Sequence, residues 1–232
     1  MSLGLGTSLS KSGLITPGIV TDSLVLKHNY AAGGVVPVSD GAVLLNGTDE
    51  YIDLGSKATS GDDVTVSAWI YLVDANPNDI LKYGDLMVRM HNDTSLYVYP
   101  DSAETGGFCT VSSALNNWNH ICVVVDDNAA TFYYNGVFIK THTSIGTLST
   151  DSVASYIGRQ DTNYFNGYIC NIGFWSRTME IAEVKSIMWK NYAGLTTGTG
   201  SESENLVSWW NLDEADGSTV EDLHGSNDGT LS

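Results

Sequence analysis

Thr131-Phe132-Tyr133-Tyr134-Asn135-Gly136-Val137-Phe138-Ile139 decides the fold class. Two β-branched and aromatic halves flank Asn-Gly, the pair that accepts positive φ at both central positions of a type I′ turn. The segment therefore predicts a β-hairpin. Outward from it in both directions the same texture continues. Short runs rich in Val, Ile, Thr and Tyr alternate with clusters of Gly, Asn, Asp and Ser at 24–30, 42–46, 50–54, 64–72, 86–90, 95–99, 107–111, 119–125, 131–139, 154–158 and 167–175. Many short strands at this spacing predict an all-β antiparallel sandwich and exclude a βαβ fold.

One stretch departs from the pattern. Between Met179 and Tyr192, the apolar residues Ile181, Val184, Ile187, Met188 and Tyr192 recur at the i, i+3, i+4 spacing of an amphipathic helix. One peripheral α-helix is expected there, with Thr178 as its cap and Gly194 as its stop. Residues 196–205, rich in Thr, Gly, Ser and Glu, read as a linker. Leu206-Val207-Ser208-Trp209-Trp210-Asn211-Leu212 is one more strand. Residues 1–20 show neither period and read as an N-terminal arm, a kind of segment that stays ordered only when something holds it. The expected organisation is thus an arm at 1–20, a sandwich domain at 21–195, a linker at 196–205 and a C-terminal strand segment at 206–232.

Composition narrows the function. The 232 residues carry 27 acidic against 10 basic side chains, a formal net charge of −17, and only 16% of the chain is charged. Soluble domains average about 25%, so the acidity reflects a shortage of Lys and Arg. No two basic residues are adjacent, which argues against nucleic acid and anionic membrane as partners. The apolar run Ile121-Cys122-Val123-Val124-Val125 falls far short of the about 18 residues that span a bilayer. Met1-Ser2-Leu3-Gly4-Leu5-Gly6 lacks the basic start and apolar stretch of a secretory signal. Cys109, Cys122 and Cys170 lie in apolar or β-like runs and are expected to be buried free thiols. Trp69 and Trp118 are expected to pack inward, and His120, two residues after Trp118, to share its side as a core or inter-sheet histidine.

Several segments, in order, carry a resemblance. They are Asn46-Gly47-Thr48-Asp49-Glu50-Tyr51-Ile52-Asp53-Leu54, Val64-Thr65-Val66-Ser67-Ala68-Trp69-Ile70, Asn117-Trp118-Asn119-His120-Ile121, Tyr133-Tyr134-Asn135-Gly136, Ile157-Gly158-Arg159, Phe165-Asn166-Gly167-Tyr168-Ile169 and Phe174-Trp175-Ser176-Arg177. Over residues 40–192 the chain resembles laminin-G-like jelly-roll domains of the concanavalin A-like lectin/glucanase superfamily. The tail from Leu206 to Leu231 resembles the beginning of such domains, although here it follows the helix. It echoes residues 24–40 at one fixed offset: Leu24, Val25, Asn29, Val38 and Asp40 match Leu206, Val207, Asn211, Val220 and Asp222. The tail either completes the same sandwich, the reading adopted, or begins a truncated second repeat. Deleting residues 204–232 separates the two. The N-terminal portion up to Gly41 resembles virion structural proteins of tailed phages from marine viral communities.

Catalytic patterns are missing from the sequence. Glycoside hydrolases of the superfamily place two carboxylates on one strand face, in a Glu-x-Asp-x-x-Glu type pattern, and no strand here has that spacing. The acidic strings Asp213-Glu214-Ala215-Asp216 and Glu221-Asp222 read as solvated turns. None of the histidines sits beside a Gly-x-Ser-x-Gly elbow. There is no P-loop, dinucleotide fingerprint or zinc spacing. Relatives often hold a structural calcium, Ca2+, near where the Asn46 and Asp222 segments meet, so the resemblance implies Asp49 and Asp222 as ligands. The family's acidic pair after its Phe-Asn-Gly-Tyr strand is replaced by Cys170 and Asn171. Asn163 and Tyr164, in the polar-aromatic loop from Gln160 to Asn166, are the expected glycan contacts. The expected protein is a non-enzymatic virion component (decoration, fibre or appendage) at the virion surface, a homo-oligomer whose arm docks on other virion proteins or sister subunits and whose lectin-like domain binds cell-surface carbohydrate. The alternatives are a carbohydrate-binding adhesion module of a secreted or cell-surface protein and, third, a glycan hydrolase.

Overall fold

The computed structural model describes residue 39 and residues 41–101, 106–197, 200–214 and 217–232. The expected arm at 1–20, the expected strand at 24–30 and the repeat partners Leu24, Val25, Asn29, Val38 and Asp40 lie outside the described residues. The chain runs through β1 (Val43–Asn46), β2 (Ile52–Lys57), β3 (Val64–Leu72), β4 (Asn78–Tyr83), β5 (Leu86–Asn92), β6 (Ser95–Pro100) and β7 (Gly107–Thr110). It continues with β8 (Trp118–Asp126), β9 (Ala129–Tyr134), β10 (Val137–Thr143), β11 (Val153–Ile157), β12 (Arg159–Gln160), β13 (Asn163–Tyr164) and β14 (Asn166–Trp175). Helices α1 (Ile181–Ile187) and α2 (Tyr192–Thr197) precede β15 (Leu206–Trp210), β16 (Thr219–Val220) and β17 (Gly229–Leu231).

Two antiparallel sheets face each other as an all-β sandwich of the jelly-roll kind. The seven-stranded sheet runs β1-β14-β3-β8-β9-β10, with β15 also on β14; the eight-stranded sheet runs β16-β17-β2-β11-β4-β5-β6-β7. The hairpin quoted first joins β9 to β10, with Tyr134 opposite Val137. Asn135 and Gly136 sit between them at φ 52° and 71°, the two positive values of a type I′ turn.

Alternation along the strands sets the core. In β3, Val64, Val66, Ala68, Ile70 and Leu72 enter the inter-sheet core, as do Leu86, Val88 and Met90 of β5. Each of these side chains other than Ala68 stabilises the fold by roughly 1.5–3 kcal/mol through burial. The intervening residues face outward. Trp69 is therefore on the outer face of the seven-stranded sheet, where it clusters with Cys170 and Met188, and Trp118 packs against that cluster. This corrects the inward placement: in β3 the even-numbered positions already fill the core. His120 shares their side, buried beside Trp69 at 5.4 Å between ring centroids. Its Nε2 lies 2.7 Å from Ser67 Oγ, and burial lowers its pKa to about 3.

β4 carries no signal in the sequence reading because it begins with Asn78 and Asp79. It nevertheless lies inside the eight-stranded sheet, between β11 and β5, and is buried throughout.

The expected single helix is two short ones. Glu180, not Thr178, begins α1, and its N–H donates to the Glu183 carboxylate at 3.1 Å. Arg177 pins the same carboxylate at 2.7 Å. The helix stops at Ile187, and the carbonyl of Met188 accepts the Trp69 indole N–H at 3.2 Å. Gly194 lies within α2 instead of ending a helix. Residues 200–205, expected as linker, are tied down. The Trp175 indole donates to the Glu202 carbonyl at 2.7 Å, and Ser176 N–H donates to the Asn205 carbonyl at 2.9 Å. Glu202 binds Lys190 and Ser186, contacts that hold its carboxyl down at about 2 against the opposing effect of burial.

The tail joins both sheets. β15 pairs with the second half of β14, placing Trp210 opposite Ile172 and Trp209 opposite Gly173, while β1 pairs with the first half. β17 pairs with β2, placing Thr230 opposite Asp53. The three cysteines are free and buried. Burial raises the thiol pKa of Cys109 to about 11 and that of Cys170 to about 12, and it also raises that of Cys122.

Candidate functional site

The outer face of the eight-stranded sheet carries a cluster of aromatic and charged side chains. Its construction begins at Gly158, which follows β11 at φ +82°, where a Cβ would fall 2.2 Å from Leu45 Cδ1. Only glycine fits, because both the backbone angle and the space exclude a side chain. Gly158 N–H donates to the Ile80 carbonyl at 3.1 Å, and the Gly158 carbonyl accepts Phe165 N–H at 2.9 Å. Those bonds close the base of an excursion formed by β12 and β13, with Arg159 opposite Tyr164 and Gln160 opposite Asn163. The buried Gln160 fastens it to the sheet by donating to Asp101 Oδ1 at 3.0 Å, and Asp101 Oδ2 is 2.6 Å from Lys82 Nζ.

Arg159 emerges among three tyrosines. Its guanidinium carbon lies 4.5 Å from the Tyr51 ring centroid, 5.2 Å from that of Tyr156 and 5.5 Å from that of Tyr164. Each cation–π contact is worth about 0.5–1 kcal/mol at an exposed site, and more when dry. Tyr51 and Tyr156 meet edge to face at 5.5 Å, and Tyr51 and Tyr164 are 6.2 Å apart. All three rings are half-buried.

Asp53 is two residues after Tyr51 and opposite Tyr156. It lines a shallow, open depression of about 460 Å³ with Leu54, Gly55, Asp228, Thr230 and Ser232. Aromatic rings therefore stand beside carboxylate and hydroxyl groups on one face.

The same sheet also holds a largely buried ion pair. Arg89 Nε is 2.6 Å from Asp79 Oδ1. Burial raises the Asp79 pKa, and Arg89 opposes that rise. The aromatic band continues along β6 and β7, where Tyr97 and the exposed Phe108 stack at 5.0 Å and Lys140 lies 5.1 Å from the Phe108 ring.

The expected glycan contacts, Asn163 and Tyr164, are both half-buried in β13, and Tyr164 belongs to the tyrosine cluster. The sequence reading missed Tyr51, Asp53, Tyr156 and Arg159. Their available signal was local: outward strand positions occupied by tyrosine, and a glycine immediately before the arginine.

Asp49 and Asp222 have other partners. Asp49 Oδ1 accepts the Asn46 side-chain amide at 2.9 Å, inside a turn where Asn46 Oδ1 accepts N–H groups from Thr48, Asp49 and Glu50. Asp222 is buried and accepts N–H groups from Trp209, His224 and Gly225 on Oδ1 and from Asn227 on Oδ2, at 2.9–3.1 Å. Burial raises its pKa, but those backbone donors together hold it below the usual value. Calcium takes six to eight oxygen ligands. A carboxylate already surrounded by four N–H dipoles does not fit that donor set. Among the described residues no group of three or more His, Cys, Asp or Glu is placed to hold a metal.

Two facing antiparallel sheets with this topology define a lectin-like jelly roll. The chain belongs to the concanavalin A-like lectin/glucanases superfamily, whose laminin G profile matches residues 46–185. No curated protein sequence matches it. Among solved structures it is similar to a protein of Bacteroides ovatus assigned to carbohydrate binding, with TM-score 0.62 and 22% identity, covering 81% of this chain and 57% of that one. It is also similar to a heptameric pentraxin of Limulus polyphemus, with TM-score 0.51 and 14% identity over 65% of this chain and 80% of that one. A third is domain 4 of an extracellular arabinanase of Geobacillus stearothermophilus, solved with arabinotriose, with TM-score 0.51 and 19% identity over 63% and 76% of the two chains. At these identities the likeness concerns the fold. The chain spans a little over half the length of the Bacteroides protein.

Proposed function

We propose that this chain is a non-enzymatic carbohydrate-binding module whose site is the Tyr51, Tyr156 and Tyr164 cluster around Arg159. The observation that carries the reading is the juxtaposition of that cluster with the open depression lined by Asp53, Asp228 and Thr230. Sugar rings present C–H faces that stack on aromatic rings, and their hydroxyls donate to carboxylates. An open face with both features binds part of a chain without enclosing it. The fold's likeness to a protein assigned to carbohydrate binding and to an arabinanase domain solved with arabinotriose supports the reading. A glycan array on the intact chain tests it, with Tyr51→Ala and Tyr164→Ala as controls. Binding that both substitutions weaken is expected; silence from the unaltered protein overturns the site.

The finer reading is display on a tailed-phage virion, with residues 1–20 docking on virion proteins or sister subunits in a homo-oligomer. It is supported by the resemblance of the N-terminal portion. An arm cleaved by protease in the free protein and protected on an assembled particle is the expected result. Equal cleavage in both states would leave an extracellular adhesion module as the setting.

A further inference from the structure

We infer that the site selects glycans bearing a single anionic group, a carboxylate or a sulfate ester, through Arg159; this rests on the carbohydrate-binding reading above. The three arginines are used differently. Arg89 and Arg177 each lie 2.6–2.7 Å from a carboxylate, as do Lys82 and Lys190. Arg159, like Lys57, Lys140 and Lys185, forms no ion pair among the described residues, although the chain has 27 acidic side chains against 10 basic ones, and it is the one arginine so left.

Its bonding is also incomplete. Nε donates to the Asp161 carbonyl at 3.3 Å, and neither Nη makes a hydrogen bond among the described residues. Three tyrosine rings hold the guanidinium instead. Ring faces attract the cation without using its N–H donors. A held guanidinium with spare donors matches the two-oxygen edge of a carboxylate or sulfate, the geometry in which arginine binds most selectively.

The surroundings limit how much negative charge the ligand carries. Asp161 lies in the turn of the same hairpin, and Asp53 and Asp228 line the adjoining depression. These carboxylates accept sugar hydroxyls and repel a second anion. The matching ligand has one acidic group flanked by free hydroxyls, which describes a sparsely charged acidic glycan and excludes a dense polyanion.

The test is calorimetric titration of the intact chain with oligosaccharides matched in backbone and length, in neutral, uronate-bearing and sulfated forms, with heparin as the dense polyanion. At least one singly acidic form is expected to bind tenfold or more tightly than its neutral match and more tightly than heparin. The ranking of uronate against sulfate identifies which group is read. In Arg159→Gln the ratio of acidic to neutral affinity is expected to fall to about one, the readout being that ratio and not the neutral affinity itself. Arg159→Lys recovers only part of the preference, because a point charge lacks the fork, and it carries the decision where the glutamine variant does not fold by circular dichroism. Equal affinity for neutral and acidic sugars, a preference that survives Arg159→Gln, or tighter binding of heparin overturns the inference and leaves the carbohydrate reading standing. No binding of any form overturns both.

Discussion

One region on each outer face of the sandwich obeys the same β alternation, and the two end in opposite states. On the seven-stranded sheet, Cys122, Tyr133, Trp175 and Trp209 are covered by residues of α1 and α2, including Val184, Ile187 and Leu195, and become a second apolar core. On the eight-stranded sheet, which also holds the Asp79 to Arg89 pair, Tyr51, Tyr156 and Tyr164 stay half-buried around Arg159. Both regions are aromatic. What separates them is the segment lying across each one: a helical strap with an apolar side, or a two-strand excursion whose turn is polar. An outward aromatic residue is thus a packing residue or a contact residue according to its cover.

The most severe way to break the contrast is to remove the tail. Deleting residues 204–232 strips β15 from β14 and the β16 to β17 hairpin from β2, opening a strand edge on both sheets. Loss of soluble, cooperatively unfolding protein is expected by size exclusion and circular dichroism. Unchanged melting would mean that the tail stands apart from the sandwich. Next in size is Trp175→Ala on the covered face. Trp175 is fully buried, meets Trp209 edge to face at 6.1 Å and donates to the Glu202 carbonyl. Denaturant titration should show a loss of about 3–5 kcal/mol.

Asp222→Asn should cost less, about 1.5–3 kcal/mol at neutral pH, since the charged acceptor of four N–H groups is lost. The sign with pH follows from its depressed folded value. The carboxylate's contribution is complete above its unfolded pKa, about 3.9, and disappears as pH falls through the lower folded value. The gap between variant and unaltered protein should therefore narrow below about pH 4; a constant gap would assign the loss to packing. On the open face, Tyr164→Ala should change stability by less than about 1 kcal/mol while weakening glycan binding roughly tenfold, about 1.4 kcal/mol. A large stability loss there would make the tyrosine cluster structural. The smallest expected effect is that of a chelator: melting with and without it should coincide. A bound calcium at a hundredfold excess over its Kd would instead add about 2.7 kcal/mol.

Legibility differed by element. The β9 to β10 hairpin was readable because Asn135 and Gly136 meet a backbone requirement that few residues meet. β4 was not, because Asn78 and Asp79 are polar yet buried, and their partners lie elsewhere in the chain: Asn166 N–H donates to Asn78, and Arg89 pairs with Asp79. Part of the site was visible as Asn163 and Tyr164 in a polar-aromatic loop. Tyr51 and Tyr156 were hidden because they reach Arg159 only once β2 and β11 pair.

The sequence by itself determined the sandwich, its family and the Asn-Gly turn, since period-2 patterning and positive-φ glycines act over a few residues. Tertiary structure alone decided which region of each face is sealed, where Trp69 and Trp118 point and what Asp222 binds. Each of these depends on groups distant in the chain being brought within a few ångströms, and local pattern carries no record of that distance.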